Sequence, residues 1–108
     1  MDARRRRIVA GGALLLASAA AGGHAGHATH AVVIDAFSFK PSPLTVKRGE
    51  HVRWTNADPV PHTVTAAGAF DSGSIAAGAT WTFTAEKAGR FDYVCTFHPT
   101  MSGTLIVV

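Results

Sequence analysis

The stretch that decides the fold runs from residue 89 to residue 107 and reads G-R-F-D-Y-V-C-T-F-H-P-T-M-S-G-T-L-I-V. Its first part alternates, with Phe91, Tyr93 and Cys95 on one face, which is typical of a strand that buries one side. Its last part is apolar and β-branched and predicts a second, closing strand. The corner between the two strands therefore carries a thiol, an imidazole and a thioether at intervals of three residues.

Outward from this corner, the rest of the chain shows the same kind of pattern. No segment of useful length has helical periodicity, and turns rich in Gly, Pro and Ser separate short runs of β-forming residues. These runs predict an all-β fold, a Greek-key β-sandwich of about seven to eight strands. The upstream strands are expected at residues 31–39, 44–46, 51–56, 62–66 and 80–84. The strand at 51–56 alternates, with Val52, Trp54 and Asn56 on one face.

The first 21 residues have the pattern of an export signal. Arg4 to Arg7 precede the 14 uncharged residues from Ile8 to Ala21, a run shorter than the roughly 20 residues that span a bilayer. We therefore divide the chain into a signal peptide (1–21), a flexible linker containing histidines (22–30) and one β-domain (31–108). Export to the periplasm or the medium would follow the Sec route, and the adjacent arginines also permit the twin-arginine route.

The charge and the cysteine count narrow the function further. The net charge of +3 belongs to the signal, because six basic and six acidic residues remain beyond residue 21. A balanced domain offers no electrostatic support for binding nucleic acid. The single cysteine, Cys95, rules out an intrachain disulfide. Because so small a domain commonly needs a covalent or metal link to be stable, a bound metal is the favoured alternative.

The corner residues suggest which metal. A soft thiolate with an imidazole suits copper or zinc, and the thioether of Met101 favours copper. A trigonal copper site with a weak axial methionine needs a second histidine. His62 is the best-placed candidate, because it follows Pro61 and begins a predicted strand. We therefore predict a single copper site held by His62, Cys95, His98 and Met101.

Each of these residues, taken alone, has a simpler explanation. A lone buried cysteine commonly packs as a small hydrophobe, and a lone methionine commonly fills a core. A histidine at a strand end is more often a surface residue. The combination of all three at one strand corner, with a Pro-His pair upstream, favours the metal.

Seven short motifs are spread over the predicted β-domain. They are V-x2-G-x2-V-x-W-x-N from residue 46, P-H-T-V from 61, F-D-S-G from 70, F-T from 83, G-R-F-D-Y from 89, C-x2-H-P-x-M from 95 and G-T-L-I-V from 103. Together they resemble those of the cupredoxin family over residues 31–108. The short Cys-to-His-to-Met spacing is most similar to amicyanin, whereas plastocyanin and pseudoazurin have a longer stretch between His and Met.

The resemblance implies a type 1 (blue) copper protein that carries single electrons between redox partner proteins. It implies His62, Cys95 and His98 as equatorial ligands and Met101 as the axial ligand. Asn56 would hydrogen-bond to backbone flanking the copper loop, as the family's asparagine does. One departure is Phe97, which stands where amicyanin has a proline, and it leaves one more backbone N–H near the thiolate.

The edge of His98 is expected to be surrounded by apolar side chains. Pro61, Phe97, Pro99 and Met101 would form an apolar collar around it, a patch that suits brief docking with a redox partner.

Other functions stay open. A periplasmic copper-binding or resistance protein would use the same ligands to carry or buffer copper, and a metal-free β-sandwich would act as an interaction domain. We expect no enzyme: copper oxidases need His-x-His pairs, which the six histidines do not form. Cys95 and His98 also lack an evident third member for thiol hydrolysis. We expect a monomer with no stable membrane insertion after signal cleavage.

The new N-terminus suggests a second, weak copper site. Cleavage after Ala21 would expose Gly22, Gly23 and His24. A free amine, two amides and a third-position imidazole suit square-planar Cu(II). Cleavage after Ala19 would instead place two further residues ahead of this motif, so the prediction depends on where the signal is cut.

Overall fold

The computed structural model describes residues 27–108. The predicted signal peptide and the Gly22-Gly23-His24 motif lie outside these residues. Within the described part of the chain there are nine strands, and no helix is long and apolar enough to cross a membrane. The strands are β1 (Thr29–Asp35), β2 (Ser38–Lys40), β3 (Leu44–Val46), β4 (His51–Asn56), β5 (Thr65–Ala66), β6 (Phe70–Asp71), β7 (Thr80–Thr84), β8 (Gly89–Cys95) and β9 (His98–Val107).

The strands form two mixed sheets. One has the order β2-β1-β4-β7 and the other has the order β3-β9-β8-β5-β6. β1 runs parallel to β4, and β3 runs parallel to β9, while the remaining pairs are antiparallel. This arrangement confirms the predicted all-β sandwich. β1 begins at Thr29, so Thr29 and His30 of the predicted linker belong to the sandwich.

The strand count exceeds the expected seven to eight because two predicted segments are divided differently. Residues 31–39, predicted as one strand, reverse at Ala36 and Phe37, whose φ angles are 50° and 58°. The backbone N–H groups of these two residues donate to the carboxylate of Asp58. A distant side chain therefore supports this turn, which lacks the glycine that usually marks one. The connection over residues 67–79 also contains the short strand β6.

The core between the sheets is built around two aromatic side chains. Trp54 of β4 and Tyr93 of β8 are both fully buried, and Trp54 Nε1 donates to the Tyr93 hydroxyl at 3.3 Å. Gly103 of β9 pairs with Tyr93, whose ring occupies the space that a Cβ on Gly103 would fill. Because the contact between Trp54 and Tyr93 joins the two sheets, β4 and β8 hold the loops that follow them in a fixed relation.

Candidate metal centre

Three of the four predicted ligand side chains meet at one end of the sandwich. His62, Cys95 and His98 each offer one ligand atom, and these atoms lie within 4.8 Å of one another. Cys95 Sγ is 3.6 Å from His62 Nδ1 and 3.8 Å from His98 Nδ1. Both imidazoles thus present the same ring nitrogen to the sulfur.

The corner between β8 and β9 places two of these side chains. Cys95 ends β8 and His98 begins β9, and the two residues are direct partners in the antiparallel ladder. The register then shifts between His98 and Ser102, so the strands pair irregularly here. Met101 lies in this irregular stretch and is 4% exposed. A two-residue turn therefore sets the imidazole of His98 beside the thiol.

His62 is placed by the loop that follows β4. Its backbone exchanges two hydrogen bonds with Ile75, and its side chain is fully buried. Asn56, also buried, donates to the carbonyl oxygens of Val60 and Ile75 and accepts from the N–H of Asp58. The sequence predicted that Asn56 would bond to backbone flanking the copper loop. Its partners instead hold the loop of His62.

The thiol of Cys95 lies in a setting that favours its ionised form. The backbone N–H of Thr63 donates to Cys95 Sγ at 3.3 Å. Burial by itself would raise the pKa of Cys95, but the N–H of Thr63, the imidazoles of His62 and His98, and the N–H of Phe97 lower it to about 6. The additional N–H expected from Phe97 thus contributes. A thiolate is the form that binds metals.

Thr63 also ties the two loops of the site together. Its hydroxyl oxygen accepts from the backbone N–H of Thr96 at 2.9 Å. The residue after His62 is thereby joined to the residue after Cys95. Sequence reasoning missed Thr63, because a threonine next to a predicted ligand carries no distinguishing local signal.

Sequence reasoning also missed Asp58. Its Oδ2 atom lies 2.8 Å from His62 Nε2, and its carboxylate accepts from the N–H groups of Ala36 and Phe37. Burial alone would raise the pKa of Asp58, but the hydrogen bonds from Phe37, His62 and Ala36 lower it below its ordinary value. The carboxylate therefore stays ionised although Asp58 is only 6% exposed. The one signal was an acidic residue four positions before the predicted ligand.

The rim of the site differs from the one expected. The sequence placed Met101 with Pro61, Phe97 and Pro99 in an apolar collar around His98, but Met101 is buried. Phe37 takes this place instead. It is 47% exposed, and its ring meets the rings of both His62 and His98 edge-on at centroid distances of 5.1 and 4.8 Å. Phe97 is 50% exposed, so two aromatic side chains are exposed at this end of the molecule.

Comparison with known proteins gives a consistent result. The model of the Cupredoxin-like domain matches residues 7–107. Amicyanin from Paracoccus versutus is 34% identical over 86 residues, a match that covers 70% of this chain and 62% of the relative, which is less than two thirds of its length. Amicyanin-alpha from Methylorubrum extorquens is 30% identical over 86 residues, covering 70% of this chain and 69% of the relative.

Solved structures agree with these relatives. A Cu(I) form of a mutant amicyanin superimposes with a TM-score of 0.71 at 27% identity, covering 74% of this chain and 82% of that one. An oxidised mutant of amicyanin gives the same TM-score at 28% identity, with the same coverage. The family match extends over most of the sequence, and the neighbours share the sandwich. The chain therefore belongs to the cupredoxin family and is an amicyanin-like member of it.

Proposed function

We propose that this protein holds one copper ion as a type 1 site and carries single electrons between redox partner proteins. The observation that carries the proposal is the cluster of one buried thiol and two imidazoles, whose ligand atoms lie within 4.8 Å of one another. One soft thiolate with two imidazoles suits copper, and the low pKa of Cys95, about 6, supplies that thiolate at neutral pH. The solved Cu(I) form of an amicyanin mutant adds support from a relative.

Each ligand has a distinct part in this proposal. His62, Cys95 and His98 would hold the metal, with Met101 as the fourth residue of the site. When bound, copper would supply one-electron exchange between its Cu(I) and Cu(II) states. The chain's own contribution is a site whose ligand loops are hydrogen-bonded to each other through Thr63. Ligands held in this way need little rearrangement when the charge on the site changes.

The surface of the site favours brief contacts with a partner. His98 is half-buried, unlike the fully buried His62, so it is the ligand nearest to solvent. Phe37 and Phe97 expose apolar area at the same end. Small apolar patches of this kind suit transient docking. An electron would then leave or enter through the edge of His98.

The remaining parts of the proposal rest on the sequence. We infer export to the periplasm or the medium from residues 1–21, a linker over 22–30 and a copper domain over 31–108. The exported protein would be a monomer that is not an enzyme. The proposal contains one type 1 copper per chain, and the weak second Cu(II) site predicted at Gly22-Gly23-His24 lies outside the described residues and stays a prediction.

A visible absorption spectrum of the copper-loaded protein tests the proposal. We expect an intense blue band from charge transfer between thiolate and Cu(II). Cys95→Ser should abolish the band, and Met101→Leu should keep it while raising the reduction potential. Repeated oxidation and reduction should leave copper bound. A blue Cys95→Ser variant would disprove the ligand assignment, and release of copper on each cycle would point to copper carriage instead of electron transfer.

A further inference from the structure

We propose that Asp58 is a positioning residue that decides which ring nitrogen of His62 faces the metal. The same carboxylate joins this imidazole to the turn that carries Phe37. The inference deepens the proposed function and, where it concerns copper, rests on it. Asp58 contacts the ring of His62 at Nε2, whereas Cys95 lies near the other ring nitrogen, Nδ1.

The hydrogen bonds of Asp58 show which ring nitrogen of His62 carries a hydrogen. An ionised carboxylate can only accept hydrogen bonds. Oδ1 of Asp58 accepts from the N–H of Ala36 at 2.7 Å, and Oδ2 accepts from the N–H of Phe37 at 2.9 Å. Since His62 Nε2 lies 2.8 Å from Oδ2, that nitrogen must carry a hydrogen and donate it. In a neutral imidazole, the lone pair is then on Nδ1.

The position of Nδ1 gives this tautomer its significance. His62 Nδ1 lies 3.6 Å from Cys95 Sγ, in the cluster of ligand atoms. A hydrogen on Nδ1 would occupy the direction in which a metal must bind. Asp58 therefore directs the lone pair of His62 towards the thiol. A carboxylate behind a ligand histidine has this effect in other metal sites, where it also raises the basicity of the ligand.

Burial prevents solvent from replacing the carboxylate. The side chain of His62 is 0% exposed and that of Asp58 is 5% exposed. If the carboxylate were lost, the N–H groups of Ala36, Phe37 and His62 Nε2 would all need new acceptors. Ala36 and Phe37 have positive φ angles, which a non-glycine residue adopts at a cost. The turn and the ring of Phe37 over both imidazoles therefore depend on Asp58.

Asp58→Asn is the informative variant because it keeps the shape and changes the donors. An amide has one oxygen and one NH2 group, so it cannot accept all three hydrogen bonds. Where the NH2 group faces His62, Nε2 must accept and the hydrogen moves to Nδ1. Asp35→Asn is the matched control. It removes the same charge from an exposed residue at the end of β1, next to the same turn.

The first measurement needs no metal. Two-bond 1H–15N correlation spectra of the metal-free protein at pH 8 report which ring nitrogen of His62 carries the hydrogen. We expect Nε2–H in the unmodified protein and in Asp35→Asn, and Nδ1–H or a mixture of both forms in Asp58→Asn. Nδ1–H in the unmodified protein would overturn the inference, and so would Nε2–H as the sole form in Asp58→Ala, which leaves no side-chain acceptor for that hydrogen. Should Asp58→Asn fail to fold, the spectrum of the unmodified protein still decides.

The second measurement is the affinity for copper. Loss of a partner of this kind typically weakens metal binding by about 10- to 100-fold, and we expect a loss in that range for Asp58→Asn. Asp35→Asn should stay within about twofold of the unmodified protein. An affinity equally unchanged in both variants would contradict the inference. A protein without the blue band would instead contradict the proposed function, and the tautomer of His62 would still be measurable.

Discussion

Two histidine–carboxylate pairs stand at opposite ends of β4. Asp58 follows this strand and lies 2.8 Å from His62, while Glu50 precedes it and lies 2.8 Å from His30. Seven residues lie between the two acidic residues, and the six of them in β4 span about 20 Å of extended chain. The two pairs have the same chemical groups and the same length, so the bond itself does not distinguish them.

The two pairs differ in their burial and in what the other ring nitrogen of each histidine faces. The side chains of His62 and Asp58 are 0% and 5% exposed, whereas those of His30 and Glu50 are 32% and 11% exposed. The other nitrogen of His62 faces a thiol in a cluster of three ligand atoms. No such cluster includes His30 among residues 27–108. One pair therefore orients a candidate ligand, and the other connects β1 to the turn before β4.

Replacing each histidine should show the largest difference between the two ends. His62→Ala removes an equatorial donor, so we expect the affinity for copper to fall by more than about 100-fold, beyond the usual effect of losing an outer partner. His30→Ala leaves the donor set intact and should stay within about twofold of the unmodified protein. Competition titration with a chelator measures both. Comparable losses in the two variants would remove the distinction between the pairs.

The turns beside the two carboxylates should respond in opposite directions. Gly49, next to Glu50, has a φ of 91°, whereas Ala36, held by Asp58, has a φ of 50° without being a glycine. Left-handed backbone costs other residues about 1–2 kcal/mol. Gly49→Ala should therefore lower the free energy of unfolding by about that amount. Ala36→Gly should raise it by less than about 1 kcal/mol, since glycine also loses more chain entropy on folding.

Urea unfolding of the metal-free protein measures both changes. An alanine side chain at Gly49 would not clash with its neighbours, because its Cβ would meet the ring of His27 at an ordinary contact distance of 3.5 Å. The backbone angle alone should set the effect. Destabilisation by Ala36→Gly would show that the turn held by Asp58 is not strained.

The smallest expected effect concerns acid at the Glu50 end. The N–H of Lys47 and the imidazole of His30 lower the pKa of Glu50 below 4.5. This lowered pKa stabilises the folded protein. The stabilisation is complete above the pKa of Glu50 in the unfolded chain, and it is lost as the pH falls through the lower pKa of the folded state. The unfolding free energy of the unmodified protein should therefore fall between pH 5 and pH 3, in part because Glu50 takes up a proton. Glu50→Gln should make this fall smaller. Asp35→Asn serves as the surface control, and identical curves for Glu50→Gln and the unmodified protein would contradict the expectation.

Much of the fold could be predicted from short-range patterns. The alternation around Tyr93 and around Trp54 assigned β8 and β4 and their buried faces correctly. The turn at Ala36 could not be predicted, because the groups that hold it belong to Asp58. Two further expectations were wrong. Met101 is buried rather than part of the rim, and Asn56 bonds to the loop of His62.

The sequence by itself determined the β-sandwich and the nearness of Cys95 to His98. Both depend on spacings of a few residues, which the geometry of a strand and a tight corner converts directly into position. Only the tertiary structure decided that Asp58 stands behind His62 and that Phe37 covers it. The backbone groups that bind Asp58 lie 21 and 22 residues away along the chain. Their meeting, and the burial that keeps the carboxylate in place, arise when β1 and β4 pair and the two sheets exclude water between them.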